Sequence, residues 1–177
     1  MGMVYNLFMN ISKLIRDIPN FPKKGILFKD ISPLLADGEA LNYTINQIAN
    51  LCKDVDIIVG PDARGFLFGT PAAAFLKKPF IMVRKPHKLP GEVISMQYNL
   101  EYGHNTLELQ KGFVKTGQTA AIVDDVLATG GTTKAIIDLL ESQGVIVKKV
   151  IVLLELEELH GRNLLGEKCQ VNSLIKV

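Results

Sequence analysis

Asp124 and Asp125 are adjacent carboxylates at the end of an apolar run, Ala120-Ala121-Ile122-Val123. Such a run reads as a parallel strand buried on both faces. Two like charges where that strand ends repel one another, and they are costly unless a cation or hydroxyl donors meet them. Directly downstream, Ala128-Thr129-Gly130-Gly131-Thr132-Thr133 forms a short loop of small and hydroxylic residues, and Lys134-Ala135-Ile136-Ile137-Asp138-Leu139-Leu140 then takes up helical spacing. A strand that turns through such a loop into a helix offers an anion unpaired amides and the positive end of the helix dipole. Glycines let the backbone come close to a phosphate. Together, carboxylates and loop describe a ligand with hydroxyls beside its phosphate; a sugar diol with a magnesium-bound phosphate would satisfy both. The loop has neither the Walker A spacing nor the dinucleotide fingerprint.

These groups need a frame to hold them. Ile57-Ile58-Val59, Pro79-Phe80-Ile81-Met82-Val83, the run from Val145 to Leu154 and an edge strand from Val171 to Val177 read as further strands. Between them lie helical stretches. Asp37 caps one whose apolar face is Leu41, Ile45, Ile48 and Leu51-Cys52. Phe66 to Leu76 is helical in composition despite Pro71, and Glu155 to Leu165 reads as a short helix. Strands alternating with helices predict an α/β fold, a parallel sheet flanked by helices on both faces. Ligands in such sheets sit beyond the carboxyl ends of strands, which singles out the loops after Val59, Val83 and Val123. Before the sheet, Ile11, Leu14, Ile15 and Ile18 line one face of a short helix stopped by Pro19, and Lys23 to Ile31 reads as a turn followed by an extended piece. Glu92 to Tyr98 and Thr106 to Gln110 read as a projecting hairpin flap rather than as core, entered through the basic, proline-broken Arg84-Lys85-Pro86-His87-Lys88-Leu89-Pro90-Gly91.

The chain's 177 residues favour one domain, and its net charge of +2 is too small to argue for nucleic acid, so any anion site must be local. No apolar run reaches a membrane span, and Met1 to Asn6 does not read as a signal peptide. Cys52 and Cys169, with no metal or redox spacing, read as reduced thiols in a cytoplasmic protein. His87, His104 and His160 show no metal spacing.

Val123-Asp124-Asp125-Val126-Leu127-Ala128-Thr129-Gly130-Gly131-Thr132 resembles the phosphoribosyl-pyrophosphate signature of the type I phosphoribosyltransferases. Three further segments resemble the branch of that family that takes adenine. They are Phe21-Pro22 with Gly25 to Pro33, Ala63-Arg64-Gly65-Phe66-Leu67-Phe68-Gly69, and Arg84-Lys85 through Lys88-Leu89-Pro90-Gly91 to Leu100-Glu101-Tyr102-Gly103. The resemblance runs from about Ile11 to the C-terminus. It implies one domain over residues 1–177, with a base-binding hood over about 1–35 and a flap over about 85–110. The reaction it implies is that of purine salvage, adenine and phosphoribosyl pyrophosphate giving AMP and pyrophosphate, with magnesium carried by substrate and water and the enzyme a homodimer.

The resemblance also implies roles. Asp124 and Asp125 would accept hydrogen bonds from the ribose hydroxyls, and Ala128, Thr129, Gly130, Gly131 and Thr132 would hold the 5′-phosphate. Asp62, Ala63 and Arg64 would bind pyrophosphate, with Arg84, Lys85 and Lys88 neutralising it; a solvated basic loop is the rival reading for Lys85 and Lys88. Phe28 would stack on adenine, with Leu27 and Lys29 offering backbone groups to its edge. Glu101 would handle the proton near N7, and Tyr102 would pack near the reacting ribose. Lys29 stands where the family often has arginine, which keeps the charge without the two-pronged geometry; Ala63 and Pro86 stand where some members carry serine and arginine. The rivals are the same chemistry on hypoxanthine, guanine, xanthine or orotate, and a non-enzymatic sensor of phosphoribosyl pyrophosphate.

Overall fold

Short β-branched and apolar runs, cut by glycine and proline, set the strands. The computed structural model describes residues 9–100, 103–167 and 169–177. Of these, the residues up to Asn46 form one compact unit and those from Gln47 onward a second. Glu101 and Tyr102 lie outside the described residues, as does the segment read for a signal peptide.

In the first unit the helix expected over Ile11 to Ile18 is only a single 3-10 turn, Ile11–Leu14, started by Asn10, whose side-chain oxygen accepts from the Ser12 amide at 3.2 Å. The next residues form strand β1 (Arg16–Pro19), antiparallel to β2 (Leu27–Asp30). Proline disfavours helical backbone in the residue before it, so Ile18 is pushed to extended geometry. Ion pairs between Arg16 and Asp30 at 2.7 Å and between Lys29 and Asp17 at 2.9 Å then hold the ribbon. Helix α1 (Ser32–Ala36) follows, and α2 (Gly38–Leu51) starts where expected, with the Asp37 carboxylate accepting from the Glu39 and Ala40 amides at 3.0 Å.

The second unit runs β3 (Ile57–Pro61), α3 (Gly65–Leu76), β4 (Phe80–Arg84), β5 (Val93–Leu100), β6 (Gly103–Gln110), β7 (Thr119–Leu127), α4 (Gly131–Glu141), β8 (Ile146–Glu155) and β9 (Gln170–Lys176). The strands form one sheet in the order β5-β6-β4-β3-β7-β8-β9. Pairing is parallel from β4 through β3, β7 and β8 to β9, whereas β6 is antiparallel to both β4 and β5. The chain steps from β3 through α3 to β4 in one direction and from β7 through α4 to β8 in the other. Right-handed crossovers in opposite directions put the two helices on opposite faces. The side chains agree: Ile57, Val59, Ala120, Ile122, Val150 and Val152 cluster with Ala135, Ile136, Leu139 and Leu140 of α4. The alternate residues Ile58, Ala121, Val123 and Ile151 are also buried, as are Phe68, Ala72 and Ala73 of α3. The strand order therefore reverses between β3 and β7, the place where such sheets bind ligands.

The base of the hairpin joins the sheet, with β6 pairing Leu109 with Val83 and Glu108 with Arg84, and Leu107 and Leu109 are buried. One further expectation needs correction. The helix expected over Glu155 to Leu165 is absent: β8 continues through Glu155, and two 3-10 turns follow, Glu157–Leu159 and Gly161–Leu164. Their cause is Glu155, whose carboxylate takes Arg162 in a two-pronged contact at 2.9 and 2.6 Å and also accepts from the Ser173 hydroxyl. That grip folds residue 162 back onto the strand end, which a continuous helix would carry away. Hydrogen bonds from Arg162 first, and from Ser173, hold the Glu155 carboxyl at about 2, below its ordinary 4.5. A depressed carboxylate gives stability that is present above the unfolded value and lost as pH falls through the folded one. Acid titration of thermal stability should therefore show wild type losing ground between about pH 4.5 and 2 relative to Glu155→Gln.

Candidate active site

The loops after β3 and β7 meet at the reversal point. Parallel pairing of β3 with β7 ends at Val59 opposite Ile122. Beyond it β3 stays with β4 and β7 stays with β8, so the strands part and leave a cleft. Its walls are Pro61-Asp62-Ala63-Arg64 on one side and Asp124-Asp125-Val126 with Ala128 to Thr133 on the other, around a cavity of about 290 Å³. The acid pair does not follow the strand, as the sequence suggested, but lies inside it, since β7 remains paired with β8 as far as Leu127 opposite Glu155. The extended backbone on that side fixes both aspartates.

Asp125 is 4% exposed and Asp124 half-buried. The Asp124 carboxylate accepts from the Asp125 amide at 2.8 Å. Arg64 brings Nε to 2.9 Å from the Asp125 carboxylate, a close charge contact across the cleft. Burial, and then the charge of Asp125, push the Asp124 carboxyl well above the usual carboxylate range. Burial also raises Asp125, with Arg64 pulling the other way. Hydrogen bonds donated by hydroxyls, or a nearby cation, would favour the ionised form of both carboxyls and offset the cost of their burial.

Gly130 stands at the start of α4 with φ of +85° and is followed by the hydroxyls of Thr132 and Thr133. That left-handed turn is open to glycine and strained for other residues, and it brings the loop directly onto the helix. Behind the loop the Leu156 amide donates to the Leu127 carbonyl at 2.9 Å. The first turn of α4 carries no acidic residue, so nothing there competes with an anion for its amides.

Ten of the residues singled out from the sequence line this one cavity: Asp62, Ala63, Arg64, Asp124, Asp125, and Ala128 through Thr132. The Asp62–Ala63 peptide is cis. Arg84 is not in the lining; its Nε donates to Asp62 at 3.2 Å, its Nη1 donates to the Lys88 carbonyl at 3.1 Å, and its guanidinium lies 5.8 Å from the Phe66 ring centre. Lys85 and Lys88 have exposed side chains away from the lining. Leu27, Phe28 and Lys29 lie on β2 of the first unit, where Phe28 packs edge-on against Phe21 at 5.1 Å and the Lys29 side chain is engaged by Asp17. Two residues were given no site role in the sequence reading, although Thr133 was named in the loop. Thr133 is buried in the lining. Tyr98, on β5, places its hydroxyl 3.4 Å from that of Thr132. Its signal was available, because Ile94, Met96 and Tyr98 alternate toward the core as a strand's inward set, and Tyr98 alone has a polar tip.

Residues 28–164 match the phosphoribosyl transferase domain. An adenine phosphoribosyltransferase of Mycoplasmopsis fermentans is 71% identical over 170 residues, covering 95% of this chain and 99% of the relative. Among solved structures, adenine phosphoribosyltransferase from Thermoanaerobacter pseudethanolicus is 51% identical with a TM-score of 0.90, covering 94% of this chain and 98% of its own. The enzyme of Saccharomyces cerevisiae, solved with an imino-altritol bisphosphate and adenine, is 34% identical with a TM-score of 0.88, covering 93% of this chain and 96% of its own. With a family match over most of its length and relatives this similar, the chain belongs to the phosphoribosyltransferase family, in its adenine phosphoribosyltransferase branch.

Proposed function

We propose that the cleft between β3 and β7 holds the phosphoribosyl group while the enzyme converts adenine and phosphoribosyl pyrophosphate to AMP and pyrophosphate. The observation that carries this reading is the convergence of the acid pair, Arg64 and the N-terminus of α4 on one cavity. Backbone amides from Ala128 to Thr132, with the threonine hydroxyls, take the 5′-phosphate. Asp124 and Asp125 accept from the ribose hydroxyls, which orients the sugar and steadies the positive charge that builds on it. Arg64, with the Asp62–Ala63 backbone, takes the pyrophosphate. Arg84 acts through Asp62, and Lys85 and Lys88 add positive charge nearby.

In the reaction the bond from C1′ to the pyrophosphate oxygen breaks and its electron pair leaves with pyrophosphate. N9 of adenine bonds to C1′ of an oxocarbenium-like sugar, as in glycoside cleavage, and the N9 proton is released. Glu101 is the proposed group for proton handling and Tyr102 the proposed neighbour of the ribose; both assignments rest on the family resemblance. Phe28 is the proposed stacking ring, with the Leu27 and Lys29 backbone reading the base. The hairpin of β5 and β6 is the proposed flap that keeps water from competing with adenine.

Among the described residues no three His, Cys, Asp or Glu side chains are grouped to hold a metal ion. The cleft suits magnesium that arrives on substrate oxygens and keeps its waters, with Asp124 and Asp125 as the acidic side chains facing it. When bound, magnesium supplies neutralisation of the departing pyrophosphate. A cytoplasmic setting fits Cys52 and Cys169, both free and buried, with burial pushing their thiols up to about 12 and about 11. Among the described residues no helix is long and apolar enough to cross a membrane. A homodimer is carried by the family resemblance alone.

The test is a panel of bases assayed with phosphoribosyl pyrophosphate and magnesium. Adenine should be turned over at least about a hundredfold better than hypoxanthine, guanine or xanthine, as expected if an oxopurine leaves buried donors or acceptors unpaired at about 1–3 kcal/mol each. Comparable rates on an oxopurine would remove selectivity for adenine from the assignment.

A further inference from the structure

Among the structural features outside the cleft, one segment touches the phosphate loop from behind. Gly161 is buried and opens the second 3-10 turn after β8. A Cβ built on Gly161 would stand 2.1 Å from the Ala128 carbonyl oxygen and 2.9 Å from the Gly130 nitrogen, where real Cβ contacts essentially never fall below 3.0 Å. Reciprocally, a Cβ on Gly130 would stand 2.5 Å from the Gly161 carbonyl oxygen. Backbone therefore lies on backbone, with no side chain between. Gly161 is not in the left-handed region that favours glycine, so close approach is what demands glycine there.

The support behind Gly161 is firm. Arg162, the next residue, is gripped by Glu155 at the end of β8 at 2.9 and 2.6 Å, and its Nη1 donates to the Val171 carbonyl on β9 at 2.9 Å. Two strands of the sheet thus hold the segment that backs the loop. An anion cradle works only if its amides stay aimed, and a misplacement of about 1 Å can cost on the order of a hundredfold.

We propose that Gly161, fixed by the Glu155–Arg162 grip, is a positioning residue that sets the aim of the Ala128–Thr132 loop at the ligand's phosphate. The proposal rests on the reading of that loop as the 5′-phosphate site.

Calorimetric binding of ribose 5-phosphate, paired with thermal unfolding of the ligand-free protein, separates positioning from general stability. Two glycines of the same connection make the contrast. Gly161→Ala adds a clash with the loop and no backbone strain. Gly166→Ala adds backbone strain, at φ of +76°, and meets nothing within 4 Å. Affinity for ribose 5-phosphate should fall by about tenfold or more in Gly161→Ala and stay within about twofold of wild type in Gly166→Ala, even where Gly166→Ala melts lower. Unchanged affinity in Gly161→Ala, or an equal loss in Gly166→Ala, overturns the proposal. If Gly161→Ala gives no cooperative melt, Arg162→Lys is read the same way, since lysine keeps the charge without the two-pronged grip; weakened binding with an intact melt supports the proposal and unchanged binding overturns it. Failure of wild type to bind ribose 5-phosphate would instead refute the phosphate-loop reading, and the proposal would fall with it.

Discussion

Changing Asp124 and Asp125 together to asparagine is expected to remove most of the transfer activity while making the ligand-free protein harder to unfold. Hydrogen bonds to charged groups are worth about 1.5–3 kcal/mol each, so losing two that strengthen as the sugar becomes cationic should cost about a hundred- to ten-thousandfold in kcat/KM. The gain in stability comes from the same pair. Both carboxyls are raised in the folded protein, Asp124 by burial first and then by its neighbour's charge, and Asp125 by burial. A raised carboxylate subtracts stability at pH above its folded value, and the penalty fades as pH falls toward the unfolded value. Asparagine carries no such penalty. Kinetics and thermal unfolding at neutral pH check both halves, and near wild-type turnover would remove the diol assignment.

Arg64→Gln is expected to lower kcat/KM by about a hundredfold, the order found when one preorganised charge-stabilising donor is lost. It should also shift the pH profile, in a direction the pair dictates. Arg64 is the main influence lowering the Asp125 carboxyl against its burial. Without it that carboxyl rises further, so ionising the pair needs a higher pH. The acid limb of the pH–rate profile should therefore move upward in Arg64→Gln, and less in Arg64→Lys, which keeps the charge. A profile whose acid limb stays in place would separate Arg64 from the acid pair.

Most of the sheet and nearly all of the cleft were legible in the sequence, for physical reasons. Buried parallel strands must be apolar on both faces, so Ile57 to Val59, Ala120 to Val123 and the run to Leu154 announce themselves. A phosphate loop needs small residues between strand and helix, so Ala128 to Thr132 does too. The failures came where long-range pairing overrules local pattern. Ile11 to Ile18 carries a helical stripe, yet Arg16–Pro19 is extended because it pairs with Leu27–Asp30. Glu155 to Leu165 has helical composition, yet Glu155 pairs with Arg162 and folds the chain back. Thr106 to Gln110 reads as part of a projecting hairpin, and Leu109 nonetheless pairs with Val83 at the sheet. Tyr98 carried a signal in the alternation of β5, but its partner Thr132 lies on a distant element that spacing does not point to, and Thr133 was named in the loop without a role. Lys85 and Lys88 come from a segment that carries the family resemblance, and they stand outside the cavity lining.

The cleft's two walls come from stretches far apart in the chain, Pro61 to Arg64 and Asp124 to Thr133, joined where β3 lies beside β7. Contacts of such sequence separation form late and slowly when a chain folds. The site therefore comes into being only once the central pairing is complete, and no partly formed sheet can hold the ligand as the native one does. A ligand that binds the native state alone adds about 2.7 kcal/mol when present at a hundred times its Kd. On the proposed function, phosphoribosyl pyrophosphate bound in the cleft would therefore raise the stability of the folded enzyme as well as serve its reaction, and protease resistance measured with and without that ligand would show it.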